Sequence, residues 1–205
     1  MLGTMDERSV CEWVPDRRMA FWMNLVGLVL TIAAFFGLMF LYSMNRAQGV
    51  SLVFDPVQLV LSVVILFVLS LALVIVHELL HGFAIRTLGH KPKYGALMLG
   101  KVLPAFYCTA PGAIFSKAGF IYIALLPAIV LTILPALWIV VDFPGSGWLV
   151  LPASFVFGGA IGDFFLVGRT LRTPAGTRVE DLRDGVRFHP ALSEGVPGEG
   201  ANKVN

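Results

Sequence analysis

The stretch Val57–Gly82 reads VQLVLSVVILFVLSLALVIVHELLHG, and it decides what kind of chain this is. From Val57 to Val76 it carries no charge and no polar stripe, only Gln58, Ser62 and Ser70 among aliphatic and aromatic residues. A run of that length is what an α-helix needs to cross a hydrocarbon core, about 20 residues at 1.5 Å each. It ends in His77-Glu78-Leu79-Leu80-His81, which is H-E-x-x-H. Ionisable groups inside a span are costly to bury, so their presence points to a function.

On a helix, positions i and i+4 share a face, so His77 and His81 can reach one metal ion. Glu78, beside the first ligand, is placed to take a proton from a water activated by that metal. Two imidazoles plus a carboxylate, with one position left open, is a donor set that suits Zn²⁺. Four His and six Glu in 205 residues would produce such a motif by chance about 0.002 times, too rarely to dismiss. The bland alternative is a cluster of satisfied core residues at a helix end.

The rest of the chain agrees with a membrane setting. It is 57% hydrophobic and 14% charged, against about a quarter charged in soluble domains. Four apolar stretches are long enough to span: about 20–44, 57–82, 118–141 and 147–168. The fold class expected is therefore an all-α membrane protein with four transmembrane helices. Fourteen of the fifteen Lys and Arg fall in the amino-terminal segment, the middle loop and the tail, which four spans put on one side; only Arg46 falls on the other. Positive residues mark the cytosolic face, so both termini and the middle loop are expected there. The amino-terminal segment has no signal-peptide cleavage site, and the apolar run after it reads as a retained span.

A site with two His needs a third protein ligand. Asp163 is the one acid within the fourth span. His77 lies five residues before Gly82 and Asp163 six before Arg169. That puts both some 5–10 Å inside the same boundary. Gly158 and Gly162 form a small-xxx-small pair that would let this helix approach another. His90 comes nine residues after His81 and fits no extended zincin pattern. His189 reads as an ordinary exposed His. Cys108 could offer a thiolate to the metal, although free Cys is more often a small apolar residue. Tyr107 could donate to an oxyanion, but an interfacial anchor explains it as well. Pro127 and Pro135 in the third span would loosen its backbone hydrogen bonding.

The middle loop, about Phe83–Lys117, holds two β-compatible runs, Tyr94–Leu99 and Leu103–Thr109, separated by Gly100-Lys101. This reads as a small cytosolic β-hairpin, with a re-entrant or interfacial loop as the alternative. Residues 1–168 are expected to form the membrane-embedded domain. Residues 169–205, rich in Gly, Pro and charge, are expected to be a flexible tail without a packed core, with a short element over Arg178–His189 as the alternative. Cys11 and Cys108 are expected as free thiols.

HELLHG (His77–Gly82), LLPAIVLTILP in the third span and GGAIGD (Gly158–Asp163), in that order, resemble the zincin-peptidase family of bacterial membrane proteins. More distantly the chain is similar to site-2-protease-type intramembrane metalloproteases, from which it departs in having Phe164 after the Asp. The resemblance implies His77, His81 and Asp163 as zinc ligands, Glu78 as general base, and a hairpin edge that binds substrate as an added strand. The function expected is zinc-dependent endopeptidase cleavage of membrane proteins near the cytosolic face. A non-catalytic metal-binding scaffold or accessory subunit is the alternative. The partners implied are the lipid bilayer and a membrane-protein substrate, and no nucleic acid.

Overall fold

The structure is a computed structural model that describes residues 10–44, 55–99, 103–182 and 185–190. Four helices are long and apolar enough to cross a membrane. Helix α1 (Arg17–Met44) starts at Asp16, whose carboxylate accepts the Met19 N–H at 2.6 Å. Helix α2 (Pro56–Thr87) starts at Asp55, which accepts the Val57 N–H at 2.9 Å. Pro56 follows in the first turn, where its missing N–H costs nothing. Helix α3 (Lys117–Val140) is capped by Ser116, whose Oγ accepts the Gly119 N–H at 3.0 Å. The fourth crossing is α4 (Gly147–Gly159) and α5 (Ile161–Leu171), which meet at Ala160. Helix α2 runs on past Gly82 to Thr87, further than its apolar stretch predicts.

The helices pack through small residues. A Cβ on Gly158 would collide with the Thr31 hydroxyl and sit 2.5 Å from the Gly27 carbonyl oxygen, so α4 touches α1 there backbone to backbone. Gly159 and Gly162, in contrast, face open space. The expected Gly158/Gly162 pair therefore divides its work, one residue for packing and the other for room.

The helices are accompanied by the expected hairpin and by a second small sheet, which corrects the all-α expectation. Strands β2 (Lys93–Leu99) and β3 (Leu103–Thr109) pair antiparallel as a hairpin, from Lys93 against Thr109 to Leu99 against Leu103. The turn expected at Gly100-Lys101 lies outside the described residues. The second sheet has the order β1-β6-β5-β4, from β1 (Cys11–Trp13), β6 (Gly185–His189), β5 (Arg178–Leu182) and β4 (Ile114–Ser116). A flexible tail is thus corrected for residues 178–182 and 185–189, while 191–205 lie outside the described residues.

The reason is period-2 patterning over very short strands. One face of the sheet carries Phe115, Val179, Val186 and Phe188, all buried; the other carries Glu12, Glu180 and Arg187. On that outer face Arg187 donates to Glu180 at 3.0 Å and to Glu12 at 3.3 Å, tying three strands together. The inner face packs on Ala84 and Ile85 of α2 and on Phe120 and Ile123 of α3. Each such aliphatic or aromatic side chain contributes about 1.5–3 kcal/mol relative to exposure. Because α1 and α3 begin, and α2 and α5 end, at the same end of the bundle, both sheets gather there.

Candidate metal centre

Helix α2 delivers His77 and His81 from the same face, one turn apart and both buried. Their rings meet edge to face, and their Nε2 atoms lie 3.1 Å apart. Helix α5 brings Asp163 against both, with Oδ2 3.1 Å from His77 Nε2 and Oδ1 3.6 Å from His81 Nε2. The structure brings Asp163, which the sequence reading paired with the two His by depth, against both rings. Among the described residues these three form the group that could hold a metal ion, each offering one donor atom within 4.8 Å of the others.

The donor set fits zinc on two grounds. A tetrahedron with metal–ligand bonds of about 2.0–2.1 Å has edges of about 3.3–3.4 Å, close to the three separations observed. The second ground is the proton inventory at His81. Its Nδ1 lies 2.9 Å from the carbonyl oxygen of Ile123, which can only accept, so Nδ1 carries the proton. In its neutral form the ring would present a bare Nε2 to the His77 ring and the Asp163 carboxylate, a lone-pair cluster suited to a cation.

That carbonyl is available for a reason written in the sequence. In a helix, the oxygen of residue 123 would accept from the N–H of residue 127, and residue 127 is a buried proline. Pro127 has no N–H to give. Its role is therefore more specific than general loosening of α3: it frees the one acceptor that orients His81. His77 has no such support, since its Nδ1 is buried without a partner among the described residues. Asp163 must orient that ring from the other nitrogen.

A cavity of about 390 Å³ opens beside the three ligands. Glu78 lines it from α2, with its carboxylate against the backbone N–H of Cys108 in β3. Gly159 at the end of α4 and Gly162 in α5 leave space along one wall, and Trp13 and Pro15 close it from the amino-terminal side. Cys108 and Tyr107 also line it. Burial foremost, then the carboxylates of Glu78 and Asp181, push the Cys108 thiol up to about 12, and its sulfur is not among the donor atoms that meet at the centre. The Tyr107 ring lies over Gly95 of the facing strand, where any Cβ would strike it. His90 stacks on Phe115 and His189 pairs with Glu180 at 3.0 Å, so neither joins the centre.

Sequence reasoning missed Asp181. It sits on β5 and lines the cavity, and its Oδ2 accepts the Ala110 N–H at 3.3 Å. The signal was present as an acid in step with Val179, two residues away, on what proves to be the buried face.

The model of the family described as "Putative zincin peptidase" matches residues 70–178, more than half of the chain. The chain belongs to this family. The matched segment runs from within α2 to the start of β5 and contains all three metal-binding candidates and Glu78. The family's description points to a zincin-type peptidase, and a zincin uses zinc. No curated protein and no solved structure matches the chain.

Proposed function

We propose that this zincin-family protein is a zinc-dependent intramembrane endopeptidase, cutting membrane proteins near the cytosolic face. The observation that carries this reading is the convergence of His77, His81 and Asp163 beside a cavity that Glu78 also lines. His77, His81 and Asp163 would hold the ion. Zinc, when bound, supplies Lewis acidity that acidifies water and polarises a peptide carbonyl.

The chain's own residues do the rest. Glu78 takes the proton of the attacking water and returns it to the departing amine, a general-base and general-acid role in turn. Ile123, freed by Pro127, fixes the His81 ring. Gly159 and Gly162, where α4 meets α5, leave room for an extended backbone in the cavity. The edge of the β2–β3 hairpin, whose strand β3 lines the cavity, is suited to hold a peptide by strand addition. The cytosolic assignment rests on the fourteen-to-one distribution of Lys and Arg.

The test measures zinc and cleavage together on the detergent-purified protein. Wild type should hold about one zinc per chain, and His77→Ala and Asp163→Ala should lose it. Glu78→Gln should keep the zinc while cleavage of membrane-protein substrates, read by proteomic comparison, falls by about 10³. Zinc retained in Asp163→Ala would remove that ligand. Substrate profiles identical in wild type and Glu78→Gln would favour a metal-binding scaffold over an enzyme.

A further inference from the structure

Three carboxylates line the cavity, Glu78, Asp163 and Asp181, and among the described residues no Lys or Arg lines it. Asp163 has its two histidines and the metal, and Glu78 has its place as base. Asp181 is left over. Its neighbour Glu180 points to the outer face and takes both Arg187 and His189 as partners. Among the described residues no cationic side chain pairs with Asp181; its hydrogen bond comes from the Ala110 backbone at 3.3 Å. Two described cations at this end of the bundle have partners of their own. Lys117 donates to the carbonyl oxygens of Leu171 and Thr173 at 3.0 and 2.7 Å, and the Arg169 guanidinium lies over the Trp13 ring at 5.6 Å.

The position of Asp181 is equally specific. Strand register sets Asp181 opposite Val186 and Val186 opposite Trp13, so the acid and the indole share the inner face. Asp181 also lines a second cavity of about 430 Å³ between the hairpin and β5, together with Tyr107 and Thr109, which line the first as well. Lys93 lines that second cavity without forming an ion pair to the acid. Apart from its carboxylates, the first cavity is walled largely by apolar and aromatic groups such as Phe106, Phe120 and Leu166. An apolar cavity with a carboxylate that no described cationic side chain pairs suits a long aliphatic stem that ends in a positive charge.

We propose that Asp181 is a specificity-determining residue that receives the ammonium or guanidinium of a substrate Lys or Arg next to the bond to be cut. This rests on the peptidase reading above. Burial, the leading influence on Asp181, pushes its carboxyl upward, and an arriving cation would restore the charged form. Membrane-spanning segments carry Lys and Arg at their cytosolic border. Asp181 lies only ten residues beyond Leu171, the end of the fourth crossing, where such a residue would arrive.

The experiment reads binding separately from cleavage. Full-length Glu78→Gln protein, zinc-loaded in detergent, is titrated by fluorescence anisotropy with labelled, end-blocked apolar peptides. Each peptide carries one Lys, Arg, norleucine or Glu, moved in turn along the sequence. At one position Lys and Arg should bind at least about tenfold tighter than norleucine. Asp181→Asn, which keeps an oxygen for the Ala110 N–H, should erase that advantage without weakening the norleucine peptide. Asp181→Glu should retain it, which a merely structural role would not require. No advantage for the basic peptides at any position, or an advantage that survives Asp181→Asn, overturns the proposal. Cleavage of the same peptides by protein with Glu78 intact is scored apart. Charge-selective binding without cleavage would sink the peptidase and leave the cation subsite; cleavage without charge preference would do the reverse.

Discussion

The two ends of the helical bundle are built on different principles. At the end opposite the metal centre, the buried cluster is Leu38, Ile139, Val150 and Ala153, all from helices. At the metal end, the cluster draws on α2, α3 and three strands of the second sheet, and a hairpin lies beside it. The difference follows from what each end must hold. Apolar helices surrounded by lipid need only fit one another. Two histidines, three acids and a cavity need a shaped enclosure with its own core, and strands folded back onto the helix ends provide it. The middle of α2 shows the first condition in pure form, with its large apolar residues from Val57 to Val76 mostly turned outward.

The strongest way to break this comparison is to weaken each end in turn. Phe188→Ala opens the core under the sheet and should cost about 3–4 kcal/mol of local stability, with loss of zinc affinity. Ile139→Ala, fully buried at the other end, should destabilise by about 2–3 kcal/mol and leave zinc affinity as it was. Thermal unfolding and zinc titration on the two variants check this. Equal effects on zinc would mean that the two ends are not independent.

A finer test uses the two prolines of α3. Pro127→Ala restores an N–H that competes for the Ile123 carbonyl, so His81 loses its fixed tautomer and zinc should bind about tenfold more weakly. Pro135→Ala makes the same chemical change two turns further on, away from the ligands, and should leave zinc affinity unchanged. A zinc titration that fails to separate the two variants would remove the orienting role of Pro127.

The smallest effect lies on the outer face of the sheet. The His189 hydrogen bond first, then Arg187, hold Glu180 below its ordinary value of 4.5. A carboxylate lowered on folding lends stability that is present above the unfolded value and lost as pH falls through the folded one. Protection factors for hydrogen exchange in β5 and β6, which remove the intrinsic pH dependence of exchange, should therefore stay flat from neutral pH to about 4.5 and fall below it. Glu180→Gln should abolish that acid-dependent step.

How much of this was legible follows from how local each signal is. His77 and His81 are one helical turn apart, so their convergence could be read from spacing alone. Asp163 comes from another helix, yet the bilayer gives both helices a common ruler, and depth made the match possible. The hairpin was legible because its strands are seven residues each and close in sequence. The second sheet was not. Its strands are three to five residues long, and β1 pairs with a strand some 175 residues away. Charges such as Arg178, Glu180 and Arg187 made the segment look solvated, although they all belong to one face. Pro127 was noticed for the right reason, the missing N–H, but only the structure says which acceptor that leaves free.

The pairing of β1 with β6 also has a consequence for biosynthesis. Trp13 leaves the ribosome early, whereas its register partner Val186 is made near the end of the described chain. Until then the wall formed by Asp181, Leu182 and Gly185 does not exist, although the metal ligands are already translated. The enclosure is thus completed last, and a nascent chain inserted in the membrane carries its ligands before it carries a finished cavity. Translation itself sets the moment at which the site closes.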